Sequence, residues 1–255
     1  MLSILRETYY IYLRNLKIWV TQPANVIPSL LISAFLFLAF GGAFTSVTRL
    51  PGFPAGDYNS FLTAMIIVQA VVFSGADAGI ATLTDILSGY FDKLLLAPIN
   101  RFSILFSSLL MAGTRALVQA VVVIIIALAL GVSFKSGPLG IVVILVLATV
   151  FGIAWSCLGL LIAFKTKSAQ ATQSSFVVFF PFIFFTSAFM PKEFLSGWFK
   201  VAVMVNPVDY VLQSMRVLVI QGWDWEAFLP GLWILLGMTV ALTAAATWLY
   251  RRATA

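Results

Sequence analysis

Long apolar runs separated by short polar breaks are the feature that most limits what this chain can fold into. Several of these runs reach the roughly 20 residues that a helix needs to cross a bilayer. Apolar and aromatic residues make up 62% of the 255 residues, and charged residues make up only 9%. A soluble domain of this length could not bury so much apolar surface. The sequence therefore predicts an all-α integral membrane protein.

Six of the runs are predicted to cross the membrane within a single transmembrane domain. Pro28 falls in the first turn of the first span, where a missing N–H costs little. Pro181 is expected to kink the fifth span. The predicted spans are residues 26–44, 60–83, 102–130, 139–164, 175–190 and 228–250.

Residues 1–22 precede the first span and have the periodicity of an amphipathic helix. Leu5, Tyr9 and Leu13 share an apolar side, whereas Arg14 and Lys17 belong to a polar wedge. This pattern is typical of a helix that lies in the membrane interface, with its basic side chains reaching into water.

Residues 191–227, before the last span, contain two apolar pieces of about 13 residues, which are too short to cross a bilayer. Asn206 and Pro207 separate the two pieces. We therefore expect a re-entrant helical hairpin on the extracytoplasmic side, with Tyr210 and Arg216 on its returning half.

Arg216 has three alternative roles in such a hairpin. It could bind helix carbonyls left without partners at the re-entrant turn, or it could neutralise Glu193 and Asp209. It could also meet an anionic substrate. Backbone groups at a turn within the membrane need partners, which favours the first alternative.

The distribution of basic residues sets the expected orientation. With six spans, nine basic residues lie on one side and five on the other, whereas a seventh crossing would leave seven on each. Basic residues concentrate on the cytoplasmic side. We therefore expect six spans, with both termini in the cytoplasm of a cell whose inner (plasma) membrane holds the protein. The nine are Arg6, Arg14, Lys17, Lys93, Arg101, Lys165, Lys167, Arg251 and Arg252.

The stretch GYFDKLLLAPINR, Gly89 to Arg101, is larger and more polar than a turn between two spans requires. We call it the polar segment. A glycine, an acidic–basic pair, paired leucines, a proline and an arginine follow one another in it. These residues are Gly89, Asp92, Lys93, Leu94, Leu95, Pro98 and Arg101.

The chain resembles the membrane subunits of ABC-2 type transporters, in particular drug-resistance and lipid or glycan exporters. The resemblance rests on the polar segment together with the interfacial helix, the six spans, FMP at residues 189–191 and NPVDYVLQSMR at 206–216. The resemblance extends over essentially the whole chain. Many members carry Glu-Arg where this chain has Asp92 and Lys93, and the substitution keeps both charge signs.

The resemblance implies that residues 86–98 form a coupling helix that docks on a nucleotide-binding ATPase subunit. Leucines would anchor it, and the charged residues would set its orientation. A loop helix that only rests on lipid is the alternative. The residues implied are Gly89, Tyr90, Phe91, Asp92, Lys93, Leu94, Leu95, Leu96, Pro98 and Arg101.

The resemblance also implies a second permease copy or a homologous half, and no enzymatic activity in this chain. The sequence contains no G-x-x-x-x-G-K-[ST] phosphate loop, so ATP and Mg²⁺ are expected to bind the partner subunit. Histidine is absent and Cys157 is the single cysteine, which gives no basis for a metal site or a disulfide framework. The excess of basic residues indicates membrane topology rather than nucleic acid.

Two ionisable residues, Asp77 and Arg115, fall within apolar runs. Such residues usually face protein or water. An ion pair between them could be a gate, or it could be a structural bridge between two helices. Arg115 could instead extend toward the headgroups.

In this family the first, second and fifth spans line the pathway between two copies. The resemblance thus makes Gln69, Phe176, Phe180 and Thr186 pathway candidates, although the aromatic residues could equally face lipid or neighbouring helices. Phenylalanine-rich walls with few hydroxyls suit an amphipathic, drug-like or lipid-like substrate that is exported. Export of polysaccharide or lipid-linked glycan is the alternative. A secondary transporter would be expected to show inverted repeats and broken spans.

Overall fold

The computed structural model describes residues 2–22, 27–49 and 51–254, without the side chains of residues 2, 3, 76, 169, 173–179, 253 and 254. This part of the chain is all-helical, and it contains no β-strand. Its α-helices are α1 (Leu2–Thr21), α2 (Ile27–Ala43), α3 (Tyr58–Leu87), α4 (Tyr90–Leu96), α5 (Arg101–Ala129), α6 (Gly137–Thr166), α7 (Ala169–Phe184), α8 (Gly197–Val205), α9 (Pro207–Ile220) and α10 (Trp225–Thr254).

Four of the described helices, α3, α5, α6 and α10, are long and apolar enough to cross a membrane. The pair α8 and α9 passes the same criterion together, but its two helices are bent by 82° from one another. Helix α2 is apolar but has only 17 residues. The all-helical membrane fold is confirmed, whereas the count of six spans and the re-entrant course of α8 and α9 stay predictions.

Helices α3 and α6 cross at close range because glycines remove side chains from the contact. A Cβ added to Gly79 would lie 2.7 Å from the carbonyl oxygen of Gly159. One turn earlier, a Cβ added to Gly75 would lie 2.9 Å from Cδ1 of Trp155 and 3.2 Å from the backbone nitrogen of Ser156. Small residues spaced four apart allow membrane helices to pack backbone to backbone. This contact makes α3 and α6 the centre of the fold.

Buried apolar side chains form two clusters. The larger one is built around α3, α6 and α9. The smaller one lies where α4 meets α5, α6 and α10, and includes Phe91, Leu105, Phe164 and Tyr250. Short helix α4 is therefore fixed to the rest of the molecule by a core of its own.

The seventh helix ends earlier than the fifth predicted span. Helix α7 stops at Phe184, whereas the prediction extended to residue 190. Pro181 lies inside the helix, one turn before its end. Residues 185–191 then run without helical structure, and their backbone groups bond to side chains of other elements.

Candidate functional site

The polar segment takes its shape from three local signals in the sequence. Gly89 has φ of 71°, a left-handed conformation that glycine adopts without strain, and it turns the chain from α3 into α4. Ala97 is extended, as expected for a residue before a proline, and α4 stops at Leu96. The side chain of Asn100 accepts a hydrogen bond from the N–H of Phe102 and begins α5.

Helix α4 turns one side toward the protein and the other toward solvent. Phe91 is buried, with its ring 5.9 Å from that of Phe164 and 6.3 Å from that of Tyr250. Leu94 and Leu95 are half-buried against the same cluster. Asp92 and Lys93 are exposed, and Leu96 is 87% exposed. Of the three leucines, Leu96 is thus the one available to a partner.

Helix α1 contacts the start of the polar segment through Arg14. Its Nη1 lies 2.8 Å from Oδ2 of Asp85, in the last turn of α3. The guanidinium also stacks on the ring of Tyr90, 3.8 Å from its centroid. Arg14 is thus partly exposed to water, and it also contacts protein, because Asp85 offers it a carboxylate and Tyr90 offers it a ring face.

Helix α1 contacts the end of the polar segment through Glu7. Its Oε2 accepts a hydrogen bond from the N–H of Asn100 at 2.8 Å and another from the hydroxyl of Ser103 at 2.9 Å. A carboxylate at the first turn of a helix satisfies free N–H groups and interacts favourably with the helix dipole. Farther along, the hydroxyls of Tyr12 and Thr114 are 3.0 Å apart.

Sequence reasoning placed Arg14 only in a polar wedge and singled out neither Glu7 nor Asp85. A signal was present, since Glu7 and Arg14 are seven residues apart and therefore share one face of a helix. Ile11 lies between them on that face and is buried. Charged residues that flank a buried apolar position indicate a face packed on protein rather than on water.

Asp77 on α3 and Arg115 on α5 lie close enough to interact electrostatically. Among the described residues, however, no ion pair joins them at salt-bridge distance. Arg115 is 8% exposed, and its Nε has no hydrogen-bond partner. One turn farther along α5, the amide of buried Gln119 donates to the hydroxyl of Ser29 on α2 at 2.9 Å. A role for Asp77 and Arg115 as a gate stays a prediction.

At the other end of the molecule, Asn206 connects the ends of two helices. Its side-chain amide donates to the carbonyls of Phe182 at 2.8 Å and Phe185 at 2.6 Å, at the end of α7. Its side-chain oxygen accepts from the N–H of Val208 and begins α9. Pro207 occupies the first position of α9, where its missing N–H leaves no bond unmade.

Arg216 on α9 is buried and donates to three backbone carbonyls. They belong to Phe61 at 3.2 Å, Ser187 at 2.8 Å and Ala188 at 3.1 Å. The guanidinium also lies 3.6 Å from the centroid of the Phe61 ring. In the structure the partners of Arg216 are thus backbone carbonyls, but they belong to α3 and to the non-helical residues 185–191 rather than to the predicted re-entrant turn.

Asp209 binds the same non-helical segment, residues 185–191, and also Lys192 just after it. Its Oδ1 accepts from both the N–H and the hydroxyl of Ser187 at 2.6 Å, and its Oδ2 lies 2.6 Å from Nζ of Lys192. The Lys192 ammonium also lies 4.9 Å from the centroid of the Tyr210 ring. Tyr210 in turn donates its hydroxyl to the carbonyl of Met204.

The pathway candidates fall in different environments. Phe180 is exposed, and its ring stacks on that of Phe184 with 5.5 Å between centroids. Gln69 is half-buried, and its Oε1 has no hydrogen-bond partner. Thr186 is buried and donates to the carbonyl of Ile183. The side chain of Phe176 lies outside the described part of the structure.

The fold and these sites define a multi-pass, all-helical membrane protein with a short helix exposed between two long spans. Residues 6–220 match the family described as ABC-2 type transporter. The match covers most of the chain, and the chain belongs to that family.

Several relatives are named as transport permeases. The chain is 27% identical over 214 residues to the putative transport permease ycf38 of Porphyra purpurea, covering 83% of this chain and 72% of that protein. It is 28% identical over 197 residues to the daunorubicin resistance ABC transporter permease protein DrrB1 of Streptomyces coeruleorubidus, covering 76% and 66%. It is 22% identical over 203 residues to the probable doxorubicin resistance ABC transporter permease protein DrrC of Mycobacterium tuberculosis, covering 80% and 73%.

These matches identify a membrane permease of the ABC-2 family. They leave about a third of DrrB1 outside the aligned region.

Proposed function

We propose that the chain is the transmembrane subunit of an ATP-binding cassette exporter. ATP and Mg²⁺ bind a separate nucleotide-binding subunit, and a second permease copy or a homologous half completes the transporter. Membership of the ABC-2 family supports this proposal. The observation that carries it is the exposed face of α4, which presents Asp92, Lys93 and Leu96 on a helix otherwise fixed in the protein.

Helix α4 has the construction expected of a coupling helix. Leu96 is a single exposed apolar anchor beside a charged pair, which matches the pattern of an interface core with a polar rim. Phe91 joins the helix to Phe164 on α6 and to Tyr250 on α10. Tyr250 donates its hydroxyl to the carbonyl of Arg101 at 2.8 Å, at the start of α5. A displacement of α4 by a closing ATPase would therefore reach three long helices at once.

In this proposal α4 and both termini face the cytoplasm of the inner (plasma) membrane, on the side that carries the larger number of basic residues. Six spans cross the membrane, and α8 and α9 form a re-entrant hairpin on the outer side. The network around Asp209 and Arg216 would then hold the outer end of α7 in a fixed, non-helical conformation.

The proposed substrate is an amphipathic, drug-like or lipid-like molecule that leaves the cytoplasm between the two copies. Exposed Phe180 and Phe184 offer stacked rings to such a molecule, whereas the side-chain oxygen of Gln69 is buried and has no hydrogen-bond partner. Phe176 and Thr186 complete the set of pathway candidates proposed from the sequence. The names of DrrB1 and DrrC refer to resistance to daunorubicin and doxorubicin.

The proposal is tested by purifying the protein from its native membranes under mild conditions. We expect a protein with a phosphate loop to copurify, and we expect the complex to hydrolyse ATP in the presence of Mg²⁺. Transport by vesicles should stop when ATP is depleted while the proton gradient is maintained. Transport that continues without ATP, with no ATPase in the preparation, would establish a secondary transporter instead.

Substrate class is tested in the reconstituted complex by stimulation of its ATPase activity. Daunorubicin, a short-chain phospholipid and a lipid-linked oligosaccharide are the three probes. We expect stimulation by daunorubicin or the phospholipid. Stimulation by the oligosaccharide alone would assign the protein to glycan export.

A further inference from the structure

We propose that α1 is a clamp that sets the position of the polar segment, with Arg14 and Glu7 as its positioning residues. This inference rests on the proposed function for its consequence in transport, but the clamp itself is a property of the permease alone. Neither the family match nor the names of the relatives assign a role to these two residues.

The clamp is visible in the distribution of contacts along α1. Arg14 pairs with Asp85 immediately before the polar segment and stacks on Tyr90 inside it. Glu7 accepts hydrogen bonds from Asn100 inside the segment and from Ser103 just after it. One helix thus holds both ends of a segment that otherwise joins two spans.

The face of α1 that makes these contacts also anchors it. Ile11, which lies between Glu7 and Arg14, is buried with Phe91 and Leu105 in the smaller core cluster. The opposite face carries exposed Leu5 and Tyr9, which suits contact with lipid at the membrane surface. Helix α1 therefore connects the membrane surface on one side with the polar segment on the other.

The partial exposure of the Arg14–Asp85 pair makes the clamp reversible. The side chains of Arg14 and Asp85 are 31% and 25% exposed, so water partly screens their attraction. A partly exposed pair of this kind shifts an equilibrium by about fivefold or less. Such contacts orient the polar segment while allowing it to move when an ATPase pulls on it.

The consequence concerns coupling rather than assembly. Asp92, Lys93 and Leu96 lie on the exposed side of α4 and are not among the residues that Arg14 and Glu7 hold. Loss of the clamp should leave the docking face intact, and a displacement of α4 would then reach the long helices only through the cluster around Phe91. ATP would then be hydrolysed with less substrate transported per ATP.

The first experiment needs no ATPase. The full-length protein in lipid nanodiscs is treated with trypsin, and cleavage after exposed Lys93 is followed by mass spectrometry. Cleavage of a segment that opens and closes quickly reports the population of its open form. Replacing Arg14 by glutamate places two carboxylates together, and we expect Arg14→Glu to raise the cleavage rate about fivefold.

Lys17→Glu is the matched control. Like Arg14→Glu, it replaces a basic residue of α1 by glutamate and removes one trypsin site. It does so one turn farther along the helix, at an exposed position. We expect this variant to be cleaved at the wild-type rate. Asp85→Arg alone should raise the rate, and Arg14→Glu combined with Asp85→Arg should return it to near the wild-type value.

Equal cleavage of Arg14→Glu and the wild type would overturn the clamp, as would an equal increase in Lys17→Glu or no recovery in the exchanged pair. If Arg14→Glu is not recovered as folded protein, Arg14→Gln and its control Lys17→Gln replace these variants. The expected increase is then smaller but has the same direction. Glu7→Gln tests the second contact and should raise cleavage independently of Arg14.

The second experiment measures substrate transported per ATP hydrolysed in the complex with the copurified ATPase. We expect Arg14→Glu to lower this ratio several-fold while the ATPase still copurifies, and we expect the exchanged pair to restore it. An unchanged ratio in a variant that trypsin cleaves faster would overturn the positioning role. If the wild type binds no ATPase, the proposed function fails, and the trypsin experiment still decides whether the clamp exists.

Discussion

Asp209 accepts two hydrogen bonds from Ser187, one from its backbone N–H and one from its hydroxyl, both at 2.6 Å. Asp209 is fully buried, and its second oxygen pairs with Lys192. The carboxylate therefore joins α9 to the non-helical residues 185–191. Because buried Arg216 holds the carbonyls of the same segment, the C-terminal end of α7 depends on two charged residues of one helix.

We expect Asp209→Asn to destabilise the protein by about 3 kcal/mol, because it leaves the buried Arg216 without its neighbouring negative charge. The measurement is thermal unfolding in detergent, with Asp209→Asn unfolding at lower temperature. Glu226→Gln is the control, since this carboxylate is exposed at the start of α10 and is not among the charges that act on Arg216. Equal unfolding temperatures for wild type and Asp209→Asn would contradict a supporting role for the carboxylate.

The contact between α3 and α6 leads to a second prediction. A Cβ at Gly79 would meet the backbone of Gly159, which cannot move aside without displacing a helix. We expect Gly79→Ala to cost about 2 kcal/mol of stability, in the range typical of overpacking. The measurement is again thermal unfolding in detergent.

Gly237→Ala on α10 is the control for Gly79, because a Cβ there meets nothing within 4 Å. This control should be neutral or slightly stabilising, since alanine favours a helix more than glycine does. If both variants lose the same stability, the loss comes from replacing any glycine, and the close approach of Gly79 to Gly159 does not explain it.

The charged pair on α4 can be tested without altering the net charge. We expect Asp92→Lys combined with Lys93→Asp to weaken copurification of the ATPase about tenfold, because exchanged signs oppose a complementary surface. Since the number of basic residues is unchanged, the positive-inside rule predicts unchanged topology. Membrane insertion is measured alongside by protease protection.

The control for this exchange is Lys200→Glu combined with Glu226→Lys, which exchanges the signs at two exposed positions of α8 and α10 and leaves α4 untouched. It should leave both the topology and ATPase binding unchanged. Normal ATPase copurification with the Asp92 and Lys93 exchange would count against docking through α4.

Leu96 offers a separate test of docking, because its side chain is 87% exposed and makes little contribution to the fold. We expect Leu96→Ala to weaken ATPase binding about tenfold, as for an apolar anchor at the centre of an interface. Leu139→Ala is the matched control, since Leu139 is 65% exposed at the opposite end of the molecule, in the first turn of α6. An equal loss in both variants would argue against a specific anchor.

Much of the fold was predictable because the signals that specify membrane helices are local in the sequence. Apolar runs of sufficient length, the glycine at position 89 and the proline at 98 act within a few residues of where they stand. The positions of α4 and α9 follow from such signals. The end of α7 was not predictable in this way, because residues 185–191 leave the helix and bond to Asn206 and Arg216, which are distant in sequence.

The sequence by itself determined the class of protein, the helices, and a polar segment with an exposed charged pair, since each depends on composition and short-range periodicity. Only the tertiary structure decided which polar groups meet. Arg14 pairs with Asp85, which is 71 residues away in the sequence. Arg216 donates to the carbonyl of Phe61, which is 155 residues away. Helix periodicity shows which side of a helix is polar, but the partner on that side depends on how the helices pack.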